Sequence, residues 1–195
     1  MYEVVVALVR FFLKIFCGLK VSGEENLPEK GGAIIAANHT TWFDPFALAT
    51  AVPRPVHFMA KAELFRNRIL AKVLTKAYAF PVKRGLADRN AIRKAQQVVK
   101  EGHLLGIFPE GTRNRSDGEF LPLQGGTAFI ALKSGVPVIP VLVSGVKPFR
   151  FRKPIRIVIG KPINLGSPQR TNKQKVEKAS SLILEQFRDL ISRNN

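Results

Sequence analysis

A histidine and an aspartate five residues apart, His39 and Asp44, are the first candidates for chemistry in this 195-residue sequence. They follow the apolar run 33–37, which predicts a buried strand, so His39 lies at a strand's carboxyl end, where α/β proteins commonly bind ligands. A neutral imidazole can accept a hydroxyl proton when a carboxylate holds its other ring nitrogen. Pro45 disfavours helical geometry at Asp44, which predicts a turn that joins the pair. A strand-end histidine that only bonds a backbone carbonyl is the alternative.

A second group of polar side chains follows another apolar run, residues 104–108. Glu110, Gly111, Thr112 and Arg113 come directly after it. Gly111 lets the backbone approach a ligand closely, Thr112 offers a hydroxyl, and Arg113 offers a planar guanidinium that suits a phosphate. The pattern is typical of a phosphate-binding loop, and an ordinary polar loop is the alternative.

Two further segments carry weaker signals. Lys83 and Arg84 are adjacent cations after the predicted strand 78–82, where they could bind an anion or simply face solvent. Residues 136–141 form an apolar strand that contains Pro137 and Pro140. Because proline cannot donate a backbone hydrogen bond, this strand is predicted to be an edge strand or a bulged one.

Metal and covalent chemistry have little support in the sequence. His57 and His103 are the other histidines, and neither stands at ligand spacing from His39. Cys17, the single cysteine, lies in an apolar segment without a nearby histidine that could activate it. We therefore expect neither a metal nor a covalent acyl-enzyme.

Short apolar runs alternate with amphipathic segments, which predicts an α/β fold with a mostly parallel or mixed sheet flanked by helices. Its length and 46% hydrophobic content fit a single domain. Strands are predicted at residues 33–37, 56–60, 78–82, 104–108, 137–143 and 154–159. Helices are predicted at about 62–77, from the capping residue Asp88 to Gly102, and from Thr171 or Asn172 onward.

Two predicted helices have surfaces that suit a lipid interface. Residues 1–20 are apolar around most of a helical circumference, although Arg10 and Lys14 interrupt the run, so we expect no bilayer-spanning segment. This amphipathic helix could lie at the membrane interface or pack against the core. The 62–77 helix carries a row of cations on one face. The predicted membrane contacts are Phe11, Phe12, Arg68, Lys72 and Lys76.

The formal charge of +17, from 31 basic and 14 acidic residues, predicts an anionic partner. A nucleic-acid-binding module, with Phe149 and Phe151 stacking on bases, would use the same charge. That reading leaves His39, Asp44 and the 108–113 loop unexplained. We therefore expect an anionic membrane surface and no nucleic acid.

Four ordered blocks resemble the glycerolipid acyltransferase family, most closely the short bacterial-type 1-acylglycerol-3-phosphate acyltransferases. They are HxxxxD at 39–44, FPVKRG at 80–85, FPEGTR at 108–113 and VPVIPV at 136–141. The resemblance implies that His39 is the general base and Asp44 its orienting partner. Glu110, counted with the catalytic residues, is expected to position Arg113 or its loop, because a carboxylate repels phosphate. The implied phosphate site comprises Lys83, Arg84, Gly111, Thr112 and Arg113.

The resemblance also implies the reaction. An acyl group would pass directly from acyl-coenzyme A or acyl-acyl carrier protein to the sn-2 hydroxyl of 1-acylglycerol 3-phosphate (lysophosphatidic acid), giving phosphatidic acid in phospholipid biosynthesis. No cofactor is needed besides this thioester co-substrate. Glycerol 3-phosphate or a lyso-aminolipid is the rival acceptor.

Two departures from the family bear on the acceptor. Tyr78 stands where the family often has glycine, and Lys83 replaces a residue that is often acidic or neutral.

We expect an N-terminal helix over 1–20 and an acyltransferase domain over 21–195. The protein is expected to attach peripherally, as a monotopic protein, to the cytoplasmic face of the cell membrane.

Overall fold

A seven-stranded sheet forms the centre of the molecule. The computed structural model describes residues 2–83, 88–114, 121–147 and 154–193. Strands and helices alternate along these ranges, and the predicted α/β class is confirmed. The strands are β1 Lys20–Ser22, β2 Ala33–Ala37, β3 Val56–Lys61, β4 Phe80–Val82, β5 Leu104–Ile107, β6 Val138–Ser144 and β7 Arg156–Ile159. The helices are α1 Tyr2–Cys17, α2 Asp44–Ala51, α3 Arg68–Lys76, α4 Arg89–Lys100, α5 Gly126–Ser134 and α6 Lys173–Ser192.

The sheet is mixed, with the strand order β1-β7-β6-β2-β5-β3-β4. The five strands from β6 to β4 run parallel to one another. β7 pairs antiparallel with β6, and β1 pairs parallel with β7, so these two strands run in the opposite direction. β2 therefore lies inside the sheet, between β6 and β5.

Helices cover both faces of the sheet, so the whole of β2 is buried. Ile35 faces a core that includes Leu13 of α1 and Leu48 of α2, and Leu74 of α3 packs against its edge. Ile34 faces the opposite core, which α4, α5 and α6 complete. A strand buried on both faces is apolar along its length, which explains why this run was recognisable in the sequence. Within the described ranges, no helix combines the length and apolarity needed to cross a bilayer.

The predicted helix over 62–77 is interrupted at Asn67. Its Oδ1 accepts the backbone N–H groups of Ile69 and Leu70 at 2.9 and 3.1 Å, so it caps a new helix, α3. Residues Ala62–Phe65 form a separate 3-10 turn. The continuous helix was a wrong prediction, because asparagine satisfies helix-start amides better than it continues a helix.

The prediction that residues 136–141 form an edge strand was wrong, since β6 lies inside the sheet. The alternative, a bulged strand, fits only in part, because the extra residue lies on the partner segment and not on β6. The carbonyl oxygen of Pro140 accepts a hydrogen bond from the Gly160 N–H at 2.8 Å, just beyond the end of the β6–β7 ladder. The backbone of Pro140 thus faces the partner segment, and the N–H that proline lacks costs no bond to β2. Between the pairs Val141–Ile159 and Val138–Ile163, three residue steps on β6 face four on the partner segment.

Pro45 does not keep Asp44 out of a helix, contrary to expectation. Asp44 is the first residue of α2 and Pro45 the second. The first turn of a helix has no intrahelical acceptor for its N–H groups, so proline is tolerated there. The predicted turn is nonetheless present between His39 and Asp44, over residues 40–43.

Candidate active site

His39 and the loop after β5 lie at the carboxyl ends of two neighbouring strands, β2 and β5. The chain leaves β2 towards α2 on one face of the sheet and leaves β5 towards α5 on the other. A crevice forms where connections diverge in this way, and ligands commonly bind there. The fold thus brings together two polar segments that are distant in the sequence.

Asp44 is a fully buried carboxylate surrounded by donors. Its Oδ2 accepts the backbone N–H groups of Thr40 and Thr41 at 2.6 and 2.7 Å, and its Oδ1 accepts the Thr41 hydroxyl at 2.8 Å. Burial alone would raise the pKa of this carboxyl, but the hydrogen bonds from His39, Thr41 and Thr40 outweigh it and lower the pKa. Asp44 is therefore an anion at neutral pH, and it holds the turn closed.

The His39 ring is oriented by this carboxylate. Its Nδ1 lies 2.9 Å from Asp44 Oδ2. Because an ionised carboxylate can only accept, Nδ1 carries the hydrogen, and the neutral ring has its lone pair on Nε2. Nε2 is not among the buried, unpartnered polar atoms of the described residues, and 8% of the His39 side chain stays exposed. Nε2 is therefore the ring nitrogen that can take up a proton.

The loop after β5 holds the backbone of His39 on both sides. Glu110 Oε1 accepts the His39 N–H at 3.0 Å, and Asn114 N–H donates to the His39 carbonyl at 2.6 Å. The other Glu110 oxygen accepts the Leu121 N–H at 3.2 Å. Of the two tasks expected for Glu110, positioning the loop fits these contacts. Among the described ion pairs there is none between Glu110 and Arg113.

Two more contacts fix the start of the turn. The Asn38 side chain bonds Val143 twice, donating to its carbonyl at 2.9 Å and accepting its N–H at 2.7 Å, so it continues the β2–β6 ladder beyond Ala37. Phe108 stacks on the His39 ring with a centroid distance of 4.2 Å. The imidazole is thus held by a carboxylate at its edge and an aromatic ring on its face.

A cavity of about 860 Å³ adjoins this centre. Phe108 and Gly111 form part of its wall. Phe108 therefore lies between the cavity and the His39 ring, on which it stacks. Apolar side chains of β3, β4, β5, α4, α5 and α6 also line the cavity, among them Ile92, Ile107 and Phe129. Its charged side chains, among the residues that the structure describes, are four cations and one acid, namely Lys83, Arg89, Arg93, Lys133 and Asp88.

The predicted phosphate-site residues lie in different positions around this cavity. Lys83 and Gly111 line it, and Gly111 has a φ of 70°, which favours glycine. Thr112 and Arg113 are exposed on the loop beside it. Arg84 lies outside the described residues. Two of the five predicted residues, Lys83 and Gly111, thus line the cavity, and the role of all five in binding phosphate stays a prediction.

The predicted membrane contacts share another region of the surface. Phe11 and Phe12 are exposed on α1, and Arg68, Lys72 and Lys76 are exposed on α3. Both helices pack on the same face of the sheet. Phe149 and Phe151, named for nucleic-acid stacking, lie outside the described residues.

The other histidines are remote from His39. His57 stacks on His103 with a centroid distance of 5.0 Å, beside Tyr78 at 4.9 Å. The two histidines belong to the beginnings of β3 and β5, at the opposite edge of the sheet. No three potential metal-ligating side chains lie together in the parts of the chain that the structure describes.

Sequence reasoning missed several residues of this centre. Thr41 and Asp44 have the Thr-x-x-Asp spacing of a capping box, a signal that could have identified the threonine. Arg89 and Arg93 are four apart, which places both cations on one face of α4. Asn114 acts through its backbone N–H, which no residue type reveals.

Comparisons with known proteins identify a family of similar sequences. A family model described as Acyltransferase matches residues 18–144. A 1-acyl-sn-glycerol-3-phosphate acyltransferase of Bacillus subtilis is 34% identical over 168 residues, 84% of this chain and 83% of the relative. The enzyme of that name from Streptococcus pneumoniae is 33% identical over 80% of this chain. The match covers 60% of that relative's length.

A crystal structure shares the fold. The 1-acyl-sn-glycerophosphate (LPA) acyltransferase PlsC from Thermotoga maritima superposes with a TM-score of 0.70 over 97% of this chain and 80% of its own. The sequence identity of that pair is 24%. The single α/β domain with a mixed sheet is therefore shown by both the elements and this neighbour.

Proposed function

Because the chain belongs to the acyltransferase family, we propose that it transfers a fatty acyl group from a thioester to the sn-2 hydroxyl of lysophosphatidic acid. The product would be phosphatidic acid, an intermediate of phospholipid biosynthesis. The observation that carries the proposal is the 2.9 Å contact between His39 Nδ1 and Asp44 Oδ2, which leaves Nε2 free to act as a base. The names of the relatives support the acceptor.

The reaction needs one base and no enzyme nucleophile. His39 Nε2 accepts the hydroxyl proton while the acceptor oxygen attacks the thioester carbonyl. The tetrahedral oxyanion then collapses and expels the thiolate. The imidazolium gives the proton to this thiolate, which leaves as a thiol. Asp44 stabilises the imidazolium between these steps, as a buried anion beside a histidine does in other acyl-transfer enzymes.

Substrate positioning must supply much of the rate, because general base catalysis alone contributes roughly 10²–10⁴-fold. The cavity beside Phe108 offers an apolar wall for a chain and cations for a phosphate. Lys83, Gly111, Thr112, Arg113 and Arg84 are the proposed phosphate ligands. Glu110 would act by holding the backbone of His39 in register with this loop.

The donor is a thioester of coenzyme A or of acyl carrier protein. Both are anionic, and both fit a protein whose formal charge is +17. Comparing the two donors at equal concentration, at low and at high salt, would identify the preferred one. A carrier protein that docks by charge would lose more turnover in high salt, because long-range attraction between surfaces is screened.

We infer that the enzyme works as a monotopic protein at the cytoplasmic face of the cell membrane. A lysophosphatidic acid tail of roughly fifteen methylenes, at ~0.8 kcal/mol each, would cost on the order of 10 kcal/mol to expose to water. The exposed apolar side chains of α1 suit the lipid interface, and Arg68, Lys72 and Lys76 could each add ~1 kcal/mol at an anionic leaflet. Cell fractionation with a salt wash tests this location.

The decisive experiment is thioester-dependent acylation of lysophosphatidic acid in mixed micelles by wild type and His39→Ala. We expect loss of turnover in the variant with an unchanged circular dichroism spectrum. His103→Ala is the matched control, since it removes an exposed histidine at the opposite edge of the sheet and should stay active. Unchanged turnover in His39→Ala would remove His39 from the mechanism. Glycerol 3-phosphate and a lyso-aminolipid, tested as acceptors in the same assay, separate the proposed acceptor from its rivals.

A further inference from the structure

Exposed apolar side chains are concentrated on one face of the molecule. Of the fifteen large hydrophobic residues that are exposed among those described, fourteen belong to α1, α2, α3 and the segments directly beside them. These helices pack on the same side of the sheet. The other side, covered by α4, α5 and α6, contributes only Leu182. Scattered apolar residues need no explanation, but this one-sided distribution does.

The part of this face nearest the catalytic pair is an aromatic cluster of Trp42, Phe43 and Phe46. Trp42 lies 5.7 Å from Phe43 and 6.1 Å from Phe46 between ring centroids, and Phe43 stacks on Phe46 at 5.8 Å. Phe43 packs against the core, whereas Trp42 is 68% exposed and Phe46 is 46% exposed. A tryptophan with most of its surface in water is costly unless something covers it.

The cluster is mechanically tied to the proposed base. Trp42 belongs to the turn over residues 40–43 that Asp44 closes through its bonds to Thr40 and Thr41. The same carboxylate holds the His39 ring. One short, well-bonded turn therefore orients the imidazole of His39 and exposes the indole of Trp42.

We propose that the aromatic cluster inserts into the interfacial region of an anionic bilayer, so that lysophosphatidic acid passes to His39 directly from the leaflet. The proposal rests on the proposed function and assigns it an entry side. Charge favours a lipid occupant, because α3 on the same face exposes Arg68, Lys72 and Lys76 and contains no acid. α3 also exposes apolar residues, with Ile69 at 77%. Tryptophan is a residue of choice at the boundary between headgroups and acyl chains.

Trp42 is the only tryptophan in the sequence, so tryptophan fluorescence, excited selectively over the tyrosines, reports on this cluster alone. When wild-type protein is mixed with phosphatidylcholine vesicles rich in phosphatidylglycerol, the emission should move to shorter wavelength and brominated acyl chains should quench it. Protein that sediments with vesicles while its emission stays unchanged binds through another surface, and the proposal fails. It also fails if the emission shifts with protein concentration in the absence of lipid, because a second copy of the chain then covers the cluster.

A variant pair gives an independent measurement. Trp42→Ala should lower the vesicle partition coefficient by roughly tenfold, the effect expected from losing most of one large apolar side chain. Leu182→Ala on the opposite face is the matched control and should change partitioning by less than about twofold. Equal partitioning of Trp42→Ala and wild type would overturn the proposal. Turnover of lysophosphatidic acid is assayed separately, so an inactive wild type contradicts the proposed function, and an active wild type with unshifted emission contradicts only the role of the cluster.

Discussion

Replacing Asp44 with asparagine separates the charge of this residue from its hydrogen bonds. An asparagine carbonyl at the Oδ2 position can still accept from His39 Nδ1 and from the amides of Thr40 and Thr41. Its NH₂ group would then meet the Thr41 hydroxyl, which can rotate to accept instead of donating. The turn should therefore survive in Asp44→Asn, while the negative charge is lost.

The expected loss of rate follows from the distance between the two groups. Unit charges with centres about 4 Å apart interact by about 4 kcal/mol at an effective dielectric constant of about 20. This attraction exists only when the ring is protonated, so it lowers the barrier without strengthening substrate binding. Since each ~1.4 kcal/mol is a factor of ten, kcat should fall about 10³-fold with KM nearly unchanged. Weaker bonds to a neutral acceptor should cost about 1–3 kcal/mol of stability.

The assay is steady-state acyl transfer to lysophosphatidic acid, with urea unfolding to verify that the variant is folded. Thr41→Val is the matched control, because it removes one hydrogen bond to Asp44 and keeps the charge. It should lose less than about tenfold in kcat, given about 1 kcal/mol for a typical hydrogen bond. If folded Asp44→Asn turned over as fast as Thr41→Val, stabilisation of an imidazolium by Asp44 would be refuted.

Three further outcomes follow from buried or strained groups. Glu110→Gln leaves one of two backbone donors, the His39 N–H or the Leu121 N–H, without an acceptor. The free energy of unfolding, measured in urea, should fall by about 1–3 kcal/mol, and kcat should fall more than KM rises. Unchanged stability would contradict this. Tyr78 has a φ of 60°, so Tyr78→Gly should be more stable than Tyr78→Ala by about 1 kcal/mol, and equal urea midpoints would disprove the strain. Burial, with smaller effects from a neighbouring histidine and lysine, lowers the pKa of His57, so the unfolded chain binds the proton more tightly than the folded one. The free energy of unfolding should therefore fall as pH drops below about 6.5, the ordinary value for that ring, and His57→Gln should flatten this part of the pH profile.

The central strands β2, β5 and β6 were predictable from the sequence because they are short apolar runs buried along most of their length. The six predicted strands all occur, with ends that move by one or two residues. Tyr78 and Ala79 illustrate such a shift, since the left-handed conformation of Tyr78 ends α3 and delays β4 until Phe80. The strand order was not predictable, because pairing depends on contacts between residues far apart in the chain.

Two helices escaped prediction for one physical reason. α2 and α5 are mostly buried, so small and apolar residues occur around much of their circumference and no amphipathic period appears. α4 and α6, with one solvent-facing side each, were recognised; Asp88 was predicted as the cap of α4, and Asn172 was one of two candidates for the start of α6. The periodic signal thus marks helices that face water and misses those that do not.

In the active site, side chains that perform chemistry were easier to find than groups that hold them. His39 and Asp44 are recognisable by type and position at a strand end. Asn114 holds His39 through a backbone N–H, which the residue type does not reveal. Asn38 bonds Val143 of β6, a contact that depends on how the strands pair. The roles assigned to the site residues, and the division at residue 20, stay predictions.

The hydrogen bonds that Glu110 and Asn114 make to the His39 backbone also affect the order in which the protein can fold during synthesis. Glu110 lies 71 residues after His39, in the loop that follows β5, and β5 must align beside β2 before the carboxylate can reach the amide. A nascent chain that has emerged only as far as α4 already contains both members of the proposed catalytic pair, but it lacks the two groups that fix the histidine backbone. Such a chain would acquire a fully held centre only when β5 and the loop that follows it dock beside β2.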